Sequence, residues 1–235
     1  PIYQKGGITV ITPGATFPEK HGPAGSIFRL FPPDYLAAEL LYRSIPPEIR
    51  RIAILSEEND YPVMMERTFR RMNDLADRPR QIFTEPIISG SYDLRSILMR
   101  VKTRSPDAIF LNINGEGLYI QAVKQIRQLG IQAQIYAVYM PASRASQEAL
   151  GAMNEGVVFA NLPLIEKSLT PEGQKAYAAF LKRYGPPQSI SLMVALAIDS
   201  VRMLDQALKS GMDPADYIRR TEFQGLTGPL RFDND

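Results

Sequence analysis

The chain has 235 residues, 45% of them hydrophobic and 22% charged. That is enough apolar mass for one large or two small cores, and it excludes a disordered tail or a low-complexity linker. Lys and Arg number 27 against 25 Asp and Glu, a net charge of +2, which argues against a nucleic-acid partner, since phosphate-gripping chains carry a basic excess or a basic face.

With no Cys and a single His, a thiol nucleophile, a disulfide framework, a zinc finger and an iron–sulfur centre are excluded. A Ser-His-Asp triad has only His21 to draw on, within the loop-like His21-Gly22-Pro23, and no G-x-S-x-G occurs. No stretch approaches the roughly 20 apolar residues that span a bilayer. Pro1-Ile2-Tyr3 is not a translation start, so the expected N-terminus is processed, trimmed or cut inside a domain.

In chain order, Ile8 to Ile11 reads as a strand ended by Pro13-Gly14, and Ile27 to Phe31 as a second ended by Pro32-Pro33. Asp34 then caps a helix through Leu36, Leu40 and Leu41 to Ile45. Ile52 to Leu55 does not alternate, the mark of a strand buried on both faces. A polar loop follows from Ser56 to Tyr61, then a helix with Met65, Phe69, Met72 and Ala76 on one face.

Gln81 to Ile88 is a strand, Tyr92 to Thr103 a helix and Asp107 to Leu111 a buried strand. Gly115-Glu116-Gly117 turns into a helix carrying Leu118, Ala122, Ile126 and Leu129, closed by Gly130. Ile135 to Val138 is a strand, followed by a short helix near Gln147 and a strand from Gly156 to Phe159. Thr170-Pro171 starts a helix with a capping hydroxyl and Pro at its first position. A longer helix carries Val194, Ile198, Val201, Leu204 and Leu208, and a third starts near Asp213-Pro214. Pro229 to Phe232 is the last strand. Buried strands alternating with helices predict an α/β fold with a parallel sheet. Ligands of such sheets sit outside the carboxyl ends of the strands, which points to the loops starting at Thr12, Ser56, Asn112 and Tyr139.

Three motifs carry chemistry. Asn114-Gly115-Glu116-Gly117 is half of a dinucleotide fingerprint whose third glycine is replaced by Ile120; a plain turn lining a ligand site competes with a nucleotide site. Glu57-Glu58-Asn59-Asp60 lacks the alternating ligands and central Gly of a calcium loop and reads as a solvated loop. Thr12-Pro13-Gly14-Ala15-Thr16 sets hydroxyl and backbone N–H donors after a strand end, where they can converge on a carboxylate; a simple Pro-Gly turn is the other reading.

These pieces resemble the type 1 periplasmic binding proteins, in their leucine/isoleucine/valine-binding branch. The resemblance rests on Ile11 to Glu19, Ile27-Phe28-Arg29, Ile52 to Leu55 with Tyr61 beyond, Pro106 to Phe110, Arg127 to Gly130, Glu155-Gly156-Val157 and Phe223 to Asp233, in that order along essentially the whole chain. It implies two α/β lobes that trap a ligand between them, joined by three crossings. Residues 1–33 and 161–228 are then the first lobe, in partial form, and residues 34–160 and 229–235 the second. The family's carboxylate-binding loop maps onto Thr12, Gly14, Ala15 and Thr16. Its aromatic ligand contact maps onto Tyr61, and its polar loop onto Asn112, Asn114 and Glu116. The acid that holds an ammonium in amino-acid-binding members aligns with Tyr139, leaving Glu116, Glu57 or Glu58 as substitutes and Tyr61, Tyr119 and Tyr139 as aromatic neighbours.

The implied function is non-enzymatic, with no cofactor and no metal. It is capture of a small carboxylate-bearing solute (an amino acid, or an aromatic or aliphatic acid) for an ABC importer whose permease is the partner. A ligand-sensing domain of a receptor or regulator is the alternative. The implied location is periplasmic, or extracellular and lipid-anchored. Family members carry a long segment ahead of this start, so the first lobe is expected to lack its opening strands. The chain is then a fragment, or another chain completes the lobe.

Overall fold

A computed structural model describes residues 7–14, 26–187 and 190–232. The chain divides into two compact units, Pro1–Pro33 with Leu162–Asp235, and Asp34–Asn161. The discontinuous unit opens with β1 (Val10–Thr12) and β2 (Ile27–Arg29), which pair in parallel with Ile11 opposite Phe28.

The continuous unit runs α1 (Asp34–Ser44), β3 (Arg51–Glu57), α2 (Asp60–Asp74), β4 (Gln81–Ile87), α3 (Arg95–Thr103), β5 (Ala108–Asn112), α4 (Glu116–Gln128), β6 (Gln134–Val138), α5 (Arg144–Leu150) and β7 (Val158–Ala160). Its five strands are all parallel in the order β4-β3-β5-β6-β7. Alternate residues of the central strands face opposite helical layers, as the pleat requires. Ala53, Leu55, Ile109, Leu111, Ile135 and Ala137 meet α3, α4 and α5 in one apolar core that also holds Leu98, Val101, Leu118, Ala122, Ile126 and Leu150. On the other face Phe110 stacks on Phe69 of α2 at 5.0 Å, and Tyr42 of α1 sets its edge against Phe69. Burial on both faces explains why these strands read as unbroken apolar runs.

Polar side chains tie the amino edge of this sheet. One oxygen of Asp107 accepts from the backbone N–H of Arg50 and of Arg51, each at 2.8 Å. The Arg80 guanidinium donates to the carbonyls of Ile45 and Ile49 and lies over the Tyr42 ring. With this edge closed by structural contacts, the carboxyl edge is left for function.

The discontinuous unit resumes with α6 (Ile165–Ser168), α7 (Pro171–Tyr184), α8 (Leu192–Lys209), α9 (Pro214–Arg220), β8 (Phe223–Gly225) and β9 (Gly228–Leu230). Thr170 caps α7, its hydroxyl accepting from the Gly173 N–H at 3.0 Å. A β-carbon at Gly173 would collide with the Leu226 carbonyl, so only glycine lets α7 approach the turn after β8. Two apolar clusters hold this unit. Phe28, Met203, Ala207, Ala215, Ile218 and Phe223 form one; Ile165, Tyr177, Ala195 and Leu226 form the other.

Three expectations need correction. The strand expected to carry residues 229–235 into the other lobe pairs antiparallel with β8, Phe223 opposite Leu230, and belongs to the discontinuous unit; residues 233–235 lie outside the described residues. The loop expected from Ser56 starts later, because β3 runs on to Glu57 and buries both Ser56 and Glu57. On α8 the helix is as expected but its face is not. Leu192, Ala195, Leu196, Asp199, Ser200, Met203 and Ala207 are buried, while Val201 and Leu208 are 70% and 65% exposed. Asp199 turns inward because both its oxygens accept from the Leu226 N–H, at 2.9 and 3.1 Å.

Candidate functional site

In the continuous unit the chain leaves β3 outward to β4, then returns to the other side of β3 for β5. This reversal opens a crevice at the carboxyl ends of β3 and β5, the place where doubly wound sheets bind ligands. Ser56 and Glu57 end β3, and Asn112 ends β5.

The residues there are held by a short network. The Asn112 amide donates to the Ser56 hydroxyl at 3.0 Å and to the Pro62 carbonyl at 2.7 Å. Asn112 is therefore buried and spends its donors fastening the first turn of α2, next to Tyr61. Glu57 accepts from the Asn114 N–H through one oxygen and from the Ser89 hydroxyl through the other, both at 2.9 Å. It pins the loops after β4 and β5, leaving the Asn114 side chain exposed. Glu116 starts α4 with Oε1 buried and without a hydrogen-bond partner.

A second group lies at the end of β6. Tyr139 donates its hydroxyl to Asp34 Oδ1 at 3.0 Å. Its backbone, at φ 59° and ψ −49°, lies where bulky residues rarely sit, a strain of about 1–3 kcal/mol. The conformation is held by the Tyr139 N–H on the Ala160 carbonyl at 3.0 Å and by the Ala142 N–H on the Tyr139 carbonyl at 3.1 Å. Burial first, and the Asp34 carboxylate second, push the phenols of Tyr61 and Tyr139 well above the ordinary tyrosine range. Both rings thus present neutral hydroxyls at any physiological pH.

Of the residues expected from the sequence, Tyr61, Asn112 and Tyr139 are gathered along this edge, with Asn114 on the loop before α4 and Glu116 at the start of that helix. Tyr119, named as an aromatic neighbour, is instead fully buried in the apolar core, its hydroxyl on Asn154 Oδ1 at 2.6 Å. Thr12 ends β1, and Gly14 lies where a β-carbon would strike the Met193 methyl of α8. Ala15, Thr16 and His21 fall outside the described residues. Asp34 was missed as a site residue: it carries the signature of a helix cap, and nothing local marks it otherwise. Glu57 was named only as a substitute acid for an ammonium, whereas here it ties the loops after β4 and β5. Among the described residues, no group of three His, Cys, Asp or Glu side chains is placed to hold a metal ion, and no helix is long and apolar enough to cross a membrane.

A parallel sheet covered on both faces, with polar and aromatic side chains collected at its switch point, defines a ligand-binding α/β protein. Known proteins narrow the class. The family described as periplasmic binding protein matches residues 1–234, and the chain belongs to that family. Its fold is that of leucine-binding protein LivK from Thermotoga maritima MSB8 (TM-score 0.80, 21% identity, 99% of this chain and 67% of that one). It is also similar to LivJ from Streptococcus pneumoniae, a branched-chain amino acid transporter substrate-binding protein solved with isoleucine (0.77, 20%, 98% and 67%). An extracellular ligand-binding receptor from Desulfohalobium retbaense matches as well (0.79, 24%, 100% and 41%). The chain thus spans about two thirds of the first two relatives and less of the third. No curated protein matches it.

Proposed function

We propose that this chain is the solute-binding part of an ABC importer, taking a small carboxylate-bearing solute outside the cytoplasmic membrane and delivering it to a permease. The observation that carries this reading is the set of Tyr61, Tyr139, Asn114 and Glu116 on the carboxyl edge at the switch point of a chain that belongs to the periplasmic binding protein family. Such a set offers aromatic faces and neutral hydroxyls, and no nucleophile backed by a base. The ligand's carboxylate falls to Thr12, Gly14, Ala15 and Thr16. Its body falls to Tyr61 and Tyr139, with Asn112 holding the loop, and any ammonium falls to Glu116.

The leucine and isoleucine named for LivK and LivJ favour an amino acid. The neutral hydroxyl at position 139 favours an acid without an ammonium, since a buried ammonium needs a carboxylate or several acceptors. A ligand-sensing role keeps its place because one relative of the same fold is an extracellular ligand-binding receptor.

The test is a thermal-shift and calorimetric screen over amino acids, aromatic and aliphatic acids, and amides, with phenylalanine set against 3-phenylpropionate. A ligand at a hundred times its Kd stabilises the folded state by about 2.7 kcal/mol, a shift readily seen. Thr16→Ala is expected to weaken the solute that binds by about 1.5–3 kcal/mol, the worth of a hydrogen bond to a charged group, and Tyr61→Ala to weaken it through lost packing. A screen flat for every solute but active for nucleotides overturns the reading; an unchanged affinity in Thr16→Ala removes the carboxylate loop from it.

A further inference from the structure

Tyr139 is held in an unusual way. Its backbone is fixed in a positive-φ conformation by the end of β7 on one side and by the Met140–Ala142 turn on the other. That turn is itself braced, since Asn154 donates to the Pro141 carbonyl at 2.9 Å while accepting from Tyr119. Backbone alone leaves the ring free to rotate about its side-chain bonds. What fixes the phenol is a residue 105 positions away, Asp34, 1% exposed, whose Oδ1 accepts a hydrogen bond from the hydroxyl at 3.0 Å. Asp34 opens α1, and α1 packs on β6 and β7, so the acceptor is anchored to the same strands whose ends set the Tyr139 backbone. Tyr61 lies within the field of the same carboxylate.

We propose that Asp34 is a positioning residue: its carboxylate holds the Tyr139 ring in the orientation that meets the solute, and it acts on binding through that hydrogen bond rather than by touching the solute. This deepens the solute-binding reading and rests on it for its consequence. A ring held by a strained backbone and a buried hydrogen bond is preorganised, so the solute does not spend binding energy ordering it.

The test uses the whole chain as Asp34→Ala, Asp34→Asn, Tyr139→Phe and the Asp34→Ala/Tyr139→Phe double variant. There are two readouts. Near-ultraviolet circular dichroism reports tyrosine packing with no tryptophan signal over it, because the chain has 11 Tyr and no Trp. Calorimetry measures L-leucine and 3-phenylpropionate binding. Asp34→Ala and Tyr139→Phe are expected to change the tyrosine band alike and to lower affinity by up to about ten-fold each, the cost of ordering a freed side chain when the solute binds. The double variant is expected to fall no further, because both changes delete the same bond. Asp34→Asn keeps an acceptor oxygen and is expected to recover the band, with affinity within about three-fold of the parent.

Additive losses in the double variant overturn the proposal, as does an unchanged tyrosine band in Tyr139→Phe. Asp34→Asn binding as poorly as Asp34→Ala also overturns it, in favour of direct contact between the charge and the solute. If Asp34→Ala does not fold, Asp34→Asn and Tyr139→Phe still decide. If the parent chain binds neither solute nor any other acid, the solute reading falls, and the tyrosine band alone settles whether Asp34 fixes Tyr139.

Discussion

Two aspartates show how place decides the sign of a carboxylate's effect. Asp107 accepts from two backbone N–H groups at the amino edge of the sheet, and these bonds hold its carboxyl below the ordinary 3.8. The folded state therefore binds this proton less readily than the unfolded one. Its stability contribution is present above pH 3.8 and is lost as the pH falls through the folded value. Asp199 is the reverse: burial raises it above 3.8, against the pull of the Leu226 N–H and of Arg202. The folded state keeps this proton longer, so the contribution is full below 3.8 and declines as the pH rises from there through the folded value. In urea titrations at stepped pH, Asp107→Asn is expected to flatten the loss of stability below pH 4, and Asp199→Asn to flatten the decline above it. A parent-like pH profile in either variant counts against the assignment. Neither role was legible beforehand. Asp107 looked like the start of a strand, and Asp199 sat among apolar residues as a polar interruption. Its partner, the N–H of Leu226, is 27 residues away. The same distance problem hid Asp34, whereas Tyr61 and Tyr139 were named through the family resemblance, in loops that the strand-end rule also marks.

At the scale of elements, α8 carries the sharpest lesson. Its helical period was plain, but a stripe chosen by hydrophobicity alone placed Val201, Leu204 and Leu208 inward. The packed stripe uses Ala195, Asp199, Ser200 and Ala207, small or polar residues that allow close approach to β1 and β8 and hydrogen bonding to the turn after β8. Leu196→Ala is expected to cost about 2–5 kcal/mol, the usual loss for a buried leucine. Leu208→Ala, at an exposed position, is expected to change stability by no more than about 0.5 kcal/mol. Denaturant unfolding of both variants checks this, and a costly Leu208→Ala would mean that the exposed stripe is covered in solution. The parallel strands of the continuous unit were legible as elements because burial on both faces leaves short unbroken apolar runs between turn signals. Their order was not, since a run such as Ile109-Phe110-Leu111 does not say which neighbour it pairs with.

For the whole molecule, the continuous unit carries its own sheet, two helical layers and one large core within Asp34–Asn161. Such a unit meets the criteria for independent folding. Expressed alone, residues 34–161 are expected to unfold cooperatively on heating, with coincident loss of far- and near-ultraviolet dichroism; a gradual, non-coincident loss would show that the rest of the chain is needed. The other unit is assembled from two pieces that the ribosome makes far apart in time. β1 and β2 are synthesised before the continuous unit, whereas α8, which packs on β1, follows only after that unit has been completed. At about 5–20 residues per second, that is a wait of roughly ten to thirty seconds. During the wait the nascent chain exposes Ile11 and Phe28 with nothing from α8 or α9 to cover them. Translation speed and holding chaperones therefore bear on the yield of this unit more than on the yield of the one inserted within it.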